Sequence, residues 1–239
     1  MHPDTTVARL MSQTSWSWST AQGTLDHWLC RAAVEALARD LFASLGETAK
    51  VSDAGTTPPG FPLGASNETS ASVISCDRVN ELQRVERLLP GSSQVFSVIV
   101  VRGATWWQRI GTEIASNRGN KCDQVAGLNY RALLQPVAVA TYYDLVPLSQ
   151  DNLIGRRCTK VLARLITDGS SDVSYRHGAG RFGMLPGGTD FHLWVDSANG
   201  VLLRAAKLLR GHEVEVLEWR DLIFDGVLDS ATFEPPTAD

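Results

Sequence analysis

The carboxyl-terminal part of the chain constrains the fold most, because it predicts three consecutive antiparallel strands. The apolar segments Phe191–Asp196, Val201–Leu209 and His212–Phe224 have strand lengths and are separated by short turns. Asn199-Gly200 supplies the positive φ angles that a tight hairpin demands, and a second turn lies at Arg210-Gly211. This part of the chain therefore predicts an antiparallel sheet.

Composition limits the classes of function. The chain has 239 residues, of which 44% are hydrophobic, and a formal net charge of −4. This length fits one domain with a substantial core. The mild acidity and the lack of a basic cluster argue against nucleic acid as a partner. No segment approaches the ~20 apolar residues of a membrane span, and no signal peptide or lipobox cysteine is recognisable. The sequence therefore predicts a cytoplasmic protein.

The spacing of the cysteines and histidines argues against a metal site. The cysteines are far apart, without a C-x-x-C pair or a histidine at ligand spacing, and we expect free thiols at Cys30, Cys76, Cys122 and Cys158. The sequence also lacks the glycine-rich phosphate loop, the nucleophile elbow and the H-E-x-x-H motif. It therefore predicts neither a cofactor nor conventional catalytic machinery.

The first part of the chain predicts an arm, a helix and a loop. Residues 1–23 read as a polar arm, and residues 24–45 as a helix that Thr24 caps and that ends at Gly46. Its apolar stripe includes Leu25, Trp28 and Leu29. Residues 47–70 are rich in Gly, Pro, Ser and Thr and predict a mobile loop.

The sequence pattern of residues 71–236 predicts the strands of the antiparallel sheet. Val95 to Val101 is apolar at both odd and even positions, which is typical of a strand buried on two sides, and Gly103 then turns the chain towards Trp106-Trp107. A short helix is expected before Pro136 and a second over Val137–Leu145. A long strand is expected over Thr159–Ile166.

Several of these segments together resemble the outer-membrane lipoprotein carrier (LolA-like) superfamily and its actinobacterial relatives. The matching segments are LWVD before the Asn-Gly turn, GVLLR after it, the strand that ends in IFD, the closing FEPP, RGATWWQR, the Arg84–Arg87 strand, and the Ile154-Gly155-Arg156 step. The resemblance runs from about Asp77 to Pro236. It implies an α+β fold with a strongly curved antiparallel sheet, an unclosed half-barrel, and helices that cover its concave face around a hydrophobic cavity.

The resemblance carries no catalytic residue or cofactor across to this chain. It implies that aromatic and aliphatic side chains line the cavity, since apolar ligands favour such walls. Arg204 either points outward or meets a carboxylate or carbonyl at the cavity mouth, and His192 either reaches the cavity or faces solvent. The candidate ligand-binding residues are Trp107, Tyr143, Phe191, His192, Trp194, Arg204 and Trp219.

Three functions are compatible with this sequence. The first is binding of a hydrophobic small molecule, lipid or acyl chain by a carrier or sequestering protein. The second is an intracellular natural-product cyclase without a cofactor, which would close a ring in a polyketide-like substrate by holding it folded. The third is a regulatory module that binds a protein partner. The carrier function is the leading hypothesis.

Overall fold

The computed structural model describes residues 5–14, 17–44, 67–117, 130–166, 184 and 187–237. These residues form eleven strands, four α-helices and a short 3-10 helix, Ser230–Phe233. The helices are α1 Thr5–Gln13, α2 Arg31–Ser44, α3 Arg131–Leu134 and α4 Val137–Tyr142. The strands are β1 Thr20–Cys30, β2 Asn67–Asp77, β3 Leu82–Leu88, β4 Val95–Arg102, β5 Thr105–Ile110, β6 Glu113–Ser116, β7 Tyr143–Leu153, β8 Arg156–Leu165, β9 Asp190–Asp196, β10 Leu202–Leu209 and β11 His212–Phe224.

All eleven strands belong to one antiparallel sheet. Their order is β6-β5-β4-β3-β2-β1-β11-β10-β9-β8-β7, so β6 and β7 are the two edges and the sheet does not close. Every neighbouring pair is consecutive in sequence except β1 and β11, which meet in the middle of the sheet. The unclosed antiparallel sheet with helices confirms the predicted fold class. No helix within the described ranges is long and apolar enough to cross a membrane.

The two faces of the sheet are covered differently. One face carries Ile74, Val85 and Ile99, which are paired across β2, β3 and β4, and we call it the helix-covered face. Tyr130, which immediately precedes α3, hydrogen-bonds to the side chain of Gln83 on this face. On the opposite face, the carboxyl-terminal segment crosses β3 and β4, where Arg102 Nε donates to the carbonyl oxygen of Phe233 at 2.7 Å.

Strand β4 confirms the prediction of a strand that is buried on both sides. Val98 and Val100 face one way and Ile99 and Val101 the other, and the exposed fraction of each is 6% or less. The helix-covered side of the strand packs in the main core, and the segment after β11 crosses its other side. A continuous apolar run is stable in a strand when both faces are covered.

The predicted helix over residues 24–45 is wrong in its first part. Residues 20–30 form β1, which pairs with β2 on one side and β11 on the other, and the helix begins only at Arg31. Leu25 and Leu29 misled the prediction because a spacing of four residues places side chains on one face of either a helix or a strand. Two full ladders of interstrand hydrogen bonds outweigh the weak helical preference of this segment.

The polar arm predicted over residues 1–23 is also wrong. Helix α1 lies within it and buries Val7 and Met11, whose exposed fractions are 4% and 0%. These residues are four positions apart and share one side of the helix, and the polar residues around them hide this short stripe. Of the loop predicted over 47–70, residues 67–70 belong to β2, and the remainder lies outside the described residues.

The turn predictions are largely confirmed. Arg210 and Gly211 both have positive φ, 52° and 81°, as the hairpin between β10 and β11 requires. At the other turn only Gly200 has positive φ, 73°, and a Cβ there would collide with the carbonyl oxygen of Leu10 in α1. The second predicted helix after Pro136 ends at Tyr142, because the following residues pair with β8 as part of β7.

Candidate functional site

The structure divides the seven candidate ligand-binding residues between the two faces of the sheet. Tyr143, Phe191 and Trp219 lie on the helix-covered face, with exposed fractions of 2%, 0% and 1%. The other four lie on the opposite face by the strand register, and they are Trp107, His192, Trp194 and Arg204. The seven residues therefore do not form one site.

On the opposite face, Trp194 is the centre of a packed polar cluster. The Arg204 guanidinium lies 4.4 Å from its ring centroid and the Lys160 ammonium 4.8 Å, which are cation–π distances. Its indole Nε1 donates to Asp151 at 3.0 Å. Burial, together with the charge of Lys160, lowers the pKa of His192. Trp194 thus has partners on both sides of its ring and at its N–H, as expected of structural packing.

On the helix-covered face, the aromatic residues are embedded in the core. Tyr143 and Phe191 pack edge to face with ring centroids 5.6 Å apart. Trp219 lies in β11 beside β1, and its indole Nε1 has no hydrogen-bond partner in the described ranges. A buried indole N–H is normally paired. A hydrogen-bond acceptor bound next to Trp219 would therefore be stabilised by this donor.

A buried ion pair lies on the same face and was not anticipated from the sequence. Lys207 Nζ lies 2.6 Å from a carboxylate oxygen of Glu215, and both side chains have an exposed fraction of 0%. His27 Nε2 lies 3.0 Å from the other carboxylate oxygen of Glu215. Burial lowers the pKa of Lys207. Burial alone would raise the pKa of Glu215, but the hydrogen bond from His27 and the charge of Lys207 together lower it.

A pocket of about 440 Å³ opens at the rim of the helix-covered face, and we call it the rim pocket. It lies where β1 begins, β2 ends, β3 begins and α3 packs over the sheet. This volume is within the range of small-molecule sites, about 300–1,000 Å³. Its walls include Trp18, Cys76, Arg78, Gln83, Tyr130 and Arg131.

Hydrogen bonds fix one wall of the rim pocket. The Tyr130 hydroxyl donates to Gln83 Oε1 at 2.5 Å, and Arg131 Nε donates to the same oxygen at 2.9 Å. On the other side, Arg78 Nε donates to the carbonyl oxygen of Trp18 at 2.8 Å. Within the described part of the chain, the indole Nε1 of Trp18 has no hydrogen-bond partner, although only 2% of this residue is exposed. The pocket wall also includes the carboxylates of Asp77 and Glu81, so it carries both donors and acceptors.

The chemistry of the rim pocket favours binding over catalysis. Burial raises the pKa of the Cys76 thiol to about 11, so the thiol is protonated at neutral pH and is a poor nucleophile. Burial also raises the pKa of the Tyr130 phenol above its ordinary value. Sequence reasoning missed this pocket because its walls come from segments that are distant along the chain.

The fold defines a class of proteins in which one open antiparallel sheet is covered by helices on one face. No protein-family model matches the chain, and a search of curated proteins likewise finds no match. Among solved structures, MucB is similar with a TM-score of 0.52 and 11% identity, over 97% of this chain and 62% of the MucB chain.

Two further structures extend the comparison. A chain of the Pseudomonas aeruginosa MucA/MucB complex matches with a TM-score of 0.50 and 12% identity, over 96% of this chain and 61% of that one. A LolA superfamily protein from Nitrosomonas europaea matches with a TM-score of 0.36 and 10% identity, over 98% of each chain. The chain spans about three fifths of the MucB chains that it matches. These comparisons show that the chain shares its fold with MucB.

Proposed function

We propose that this protein binds a hydrophobic molecule or acyl chain on the helix-covered face and acts as a carrier or sequestering protein. The ligand enters at the rim pocket and crosses the apolar strip of Ile74, Val85 and Ile99, displacing the side chains that bury these residues to exposed fractions of 2% or less. The observation that carries the proposal is the pair of buried indole N–H groups without acceptors, on Trp18 and Trp219, at a face that is otherwise mostly apolar.

The energetics of these donors support a bound ligand. A buried donor without a partner costs about 1–3 kcal/mol, a penalty that an oxygen of a bound ligand would remove. An uncharged ester or amide oxygen of an acylated ligand would accept from Trp18, and the acyl chain would contact the apolar strip. A molecule with polar groups and a long apolar part therefore fits this face better than a uniformly polar one.

The fold supports the same class of ligand. The sequence resembles the LolA-like superfamily, whose members carry acyl chains of lipoproteins or lipids. The three aromatic residues that the sequence suggested for the cavity and that lie on the helix-covered face are Tyr143, Phe191 and Trp219. We include these three in the proposed ligand-binding face and leave the four residues of the opposite face outside it.

The test begins with native mass spectrometry of the purified protein and extraction of any bound molecule. A dansyl-labelled fatty acid is then titrated into the wild-type protein and two variants. Trp18→Phe removes the N–H but keeps an aromatic ring, and Trp107→Phe is the matched control on the opposite face. We expect Trp18→Phe to weaken binding about two- to tenfold, the effect of one hydrogen bond, and the control to change it less than twofold.

Two results would contradict the proposal. One is the absence of saturable binding by the wild-type protein at micromolar probe. The other is an equal loss of affinity in both variants, which would place the probe away from the helix-covered face. A ligand recovered unchanged after incubation supports a carrier, whereas conversion of a linear polyketide-like precursor to a ring would support the cyclase alternative.

Binding of a protein partner is the second candidate function. The similar P. aeruginosa structure is a complex of MucA with MucB. Strand β6 forms one edge of the sheet in this chain, and its Ile114 has an exposed fraction of 43%. An exposed edge strand can pair with an extended segment of another chain. Substituting Ile114 by lysine would weaken such pairing and would leave fatty-acid binding unchanged.

A further inference from the structure

A row of polar residues lies beside the apolar strip on the helix-covered face. Arg87 in β3 is directly opposite Ser72 in β2 and Ser97 in β4. Directly opposite residues of antiparallel strands share a face and have Cβ atoms about 4.5–5.5 Å apart. The neighbouring row on the same face is apolar and consists of Ile74, Val85 and Ile99.

Arg87 carries a charge without a counter-ion. Among the residues that the structure describes, its guanidinium forms no hydrogen bond and no ion pair, and burial lowers its pKa. Other partly buried arginines are paired, such as Arg31 with Glu68, and Arg84 with Glu86 at 2.7 Å. Arg87 is half-buried, so its guanidinium is partly desolvated without being shut off from a ligand, and a charge in that position on a ligand-binding face favours recognition of an anion.

Ser97 provides a second, independent observation at the same place. Its exposed fraction is 1%, and its hydroxyl has no hydrogen-bond partner among the residues that the structure describes. A buried hydroxyl is normally satisfied, because leaving it unpaired is costly. The hydroxyl and the guanidinium of Arg87 are both donors and lie on the same face of adjacent strands. Two unpaired donors side by side favour one acceptor that carries negative charge.

We propose that Arg87 and Ser97 form a subsite for the anionic group, a carboxylate or a phosphate, of an amphiphilic ligand. This inference rests on the proposed function and specifies the polar end of its ligand. Arg87 is four residues along β3 from Gln83 of the rim pocket, a distance of about 13 Å. The face therefore has donors at both ends and an apolar strip between them, a pattern that matches an acyl chain with a charged end.

The geometry gives Arg87 the larger part in this recognition. A guanidinium donates two parallel hydrogen bonds to a carboxylate or phosphate, whereas the serine hydroxyl donates one. The carboxylate nearest in sequence, Glu86, points to the opposite face and pairs with Arg84. It therefore does not compete with the ligand for Arg87.

The test compares oleate with oleyl alcohol, which share the same chain and differ in the charge of the end group. Affinities are measured by displacement of the dansyl probe from wild type, Arg87→Gln, Arg87→Lys, Ser97→Ala and Arg84→Gln. We expect the wild type to bind oleate more tightly than oleyl alcohol. Arg87→Gln should weaken the affinity for oleate about ten- to hundredfold and change the affinity for oleyl alcohol less than twofold. Arg87→Lys should retain part of the preference, and the Arg84→Gln control should retain all of it.

Each alternative result has a defined meaning. Equal weakening of oleate and oleyl alcohol by Arg87→Gln would show that Arg87 is structural and would overturn the subsite, while the proposed function would stand. Binding of inorganic phosphate alone, dependent on Arg87 and as tight as that of oleate, would assign the site to free anions and overturn the head-group role. Failure of both oleate and oleyl alcohol to bind the wild type would contradict the proposed function itself.

Discussion

Replacing Glu215 by leucine tests the physical account of the buried ion pair. In the wild type, Glu215 and Lys207 are both fully buried and 2.6 Å apart. The variant leaves the Lys207 ammonium in the core without the carboxylate of Glu215. Charges in a low-dielectric interior lose hydration that only a well-placed partner returns, so the variant should be strongly destabilised.

The magnitude follows from the burial of both groups. Removing one partner of a fully buried pair costs about 3–5 kcal/mol, which for a chain of this size lowers Tm by roughly 6–20 °C. The double variant Lys207→Met with Glu215→Leu removes both charges and keeps similar volumes. We expect its free energy of unfolding to lie within about 1 kcal/mol of the wild type or above it.

The assay is urea denaturation followed by circular dichroism, with a double-mutant cycle on Lys207 and Glu215. Glu213→Leu is the matched control, because Glu213 lies on the same strand and pairs with Arg204 but is partly exposed. A partly exposed pair contributes about 0–1 kcal/mol, so the control should have nearly wild-type stability.

The reasoning would be refuted by either of two results. One is a loss of less than about 1 kcal/mol for Glu215→Leu, which would mean that Lys207 is hydrated or neutral in the folded chain. The other is additivity, in which the double variant is as unstable as the sum of the two single variants. Additive losses would show that packing rather than charge pairing determines the cost.

Three further predictions follow from the structure. Gly200→Ala should destabilise the protein more than Gly211→Ala by about 1–3 kcal/mol in thermal melts, because both glycines have positive φ but only at Gly200 does a Cβ collide with the backbone of Leu10. Because the pKa of folded Glu215 lies below its ordinary 4.5, its ionisation stabilises the fold above about pH 4.5 and this contribution is lost as pH falls through the folded pKa. The stability difference between wild type and Glu215→Gln in urea should therefore shrink below about pH 4, and a difference that grows would contradict the sign. Cys76, whose pKa is raised to about 11, should react slowly with iodoacetamide in the folded protein at neutral pH and rapidly in urea, as measured by peptide mass spectrometry.

The strands after residue 70 that short turns separate were predictable, whereas β6 and β7 were not predicted. The glycine at Gly103 and the pair at Arg210-Gly211 have the positive φ that the hairpins require, and the apolar segments between such turns have strand lengths. Strand β1 was not predictable in the same way, since no glycine turn connects it to a neighbour and its partner β11 is distant in sequence. Its apolar spacing fits a helix equally well.

The faces of the strands were the hardest feature to predict. The turn at Arg210-Gly211 pairs Leu209 with His212, and regular counting from it would place Lys207 opposite Val214. A bulge between Lys207 and Leu208 shifts the register by one residue and brings Glu215 to Lys207 instead. Because a shift of one residue exchanges the two faces of a strand, local alternation did not reveal the buried ion pair.

The rim pocket lacked any local signal. Trp18 precedes β1, Cys76 ends β2 and Tyr130 precedes α3, so only the pairing of distant strands brings them together. The sequence did place Phe191 and Trp219 on strands, where large apolar side chains are buried wherever the sheet is covered. Tyr143, which was expected in a helix, lies at the start of β7 and is buried as well. The hydrogen-bond donors of the rim pocket come from residue types that are common on protein surfaces, so their presence in the sequence did not indicate a pocket.

The order of the strands also determines how the chain must fold. Ten strand pairs hold the sheet together, and only the central pair, β1 with β11, joins residues about two hundred positions apart. The last strand therefore has to form before the first can be enclosed, which gives a high contact order and slow folding. In a circular permutant that opened between β6 and α3 and joined residue 239 to residue 1 through a linker, the spatial order of the strands would equal their order along the chain. Every ladder would then join strands that are consecutive in sequence, and folding should accelerate.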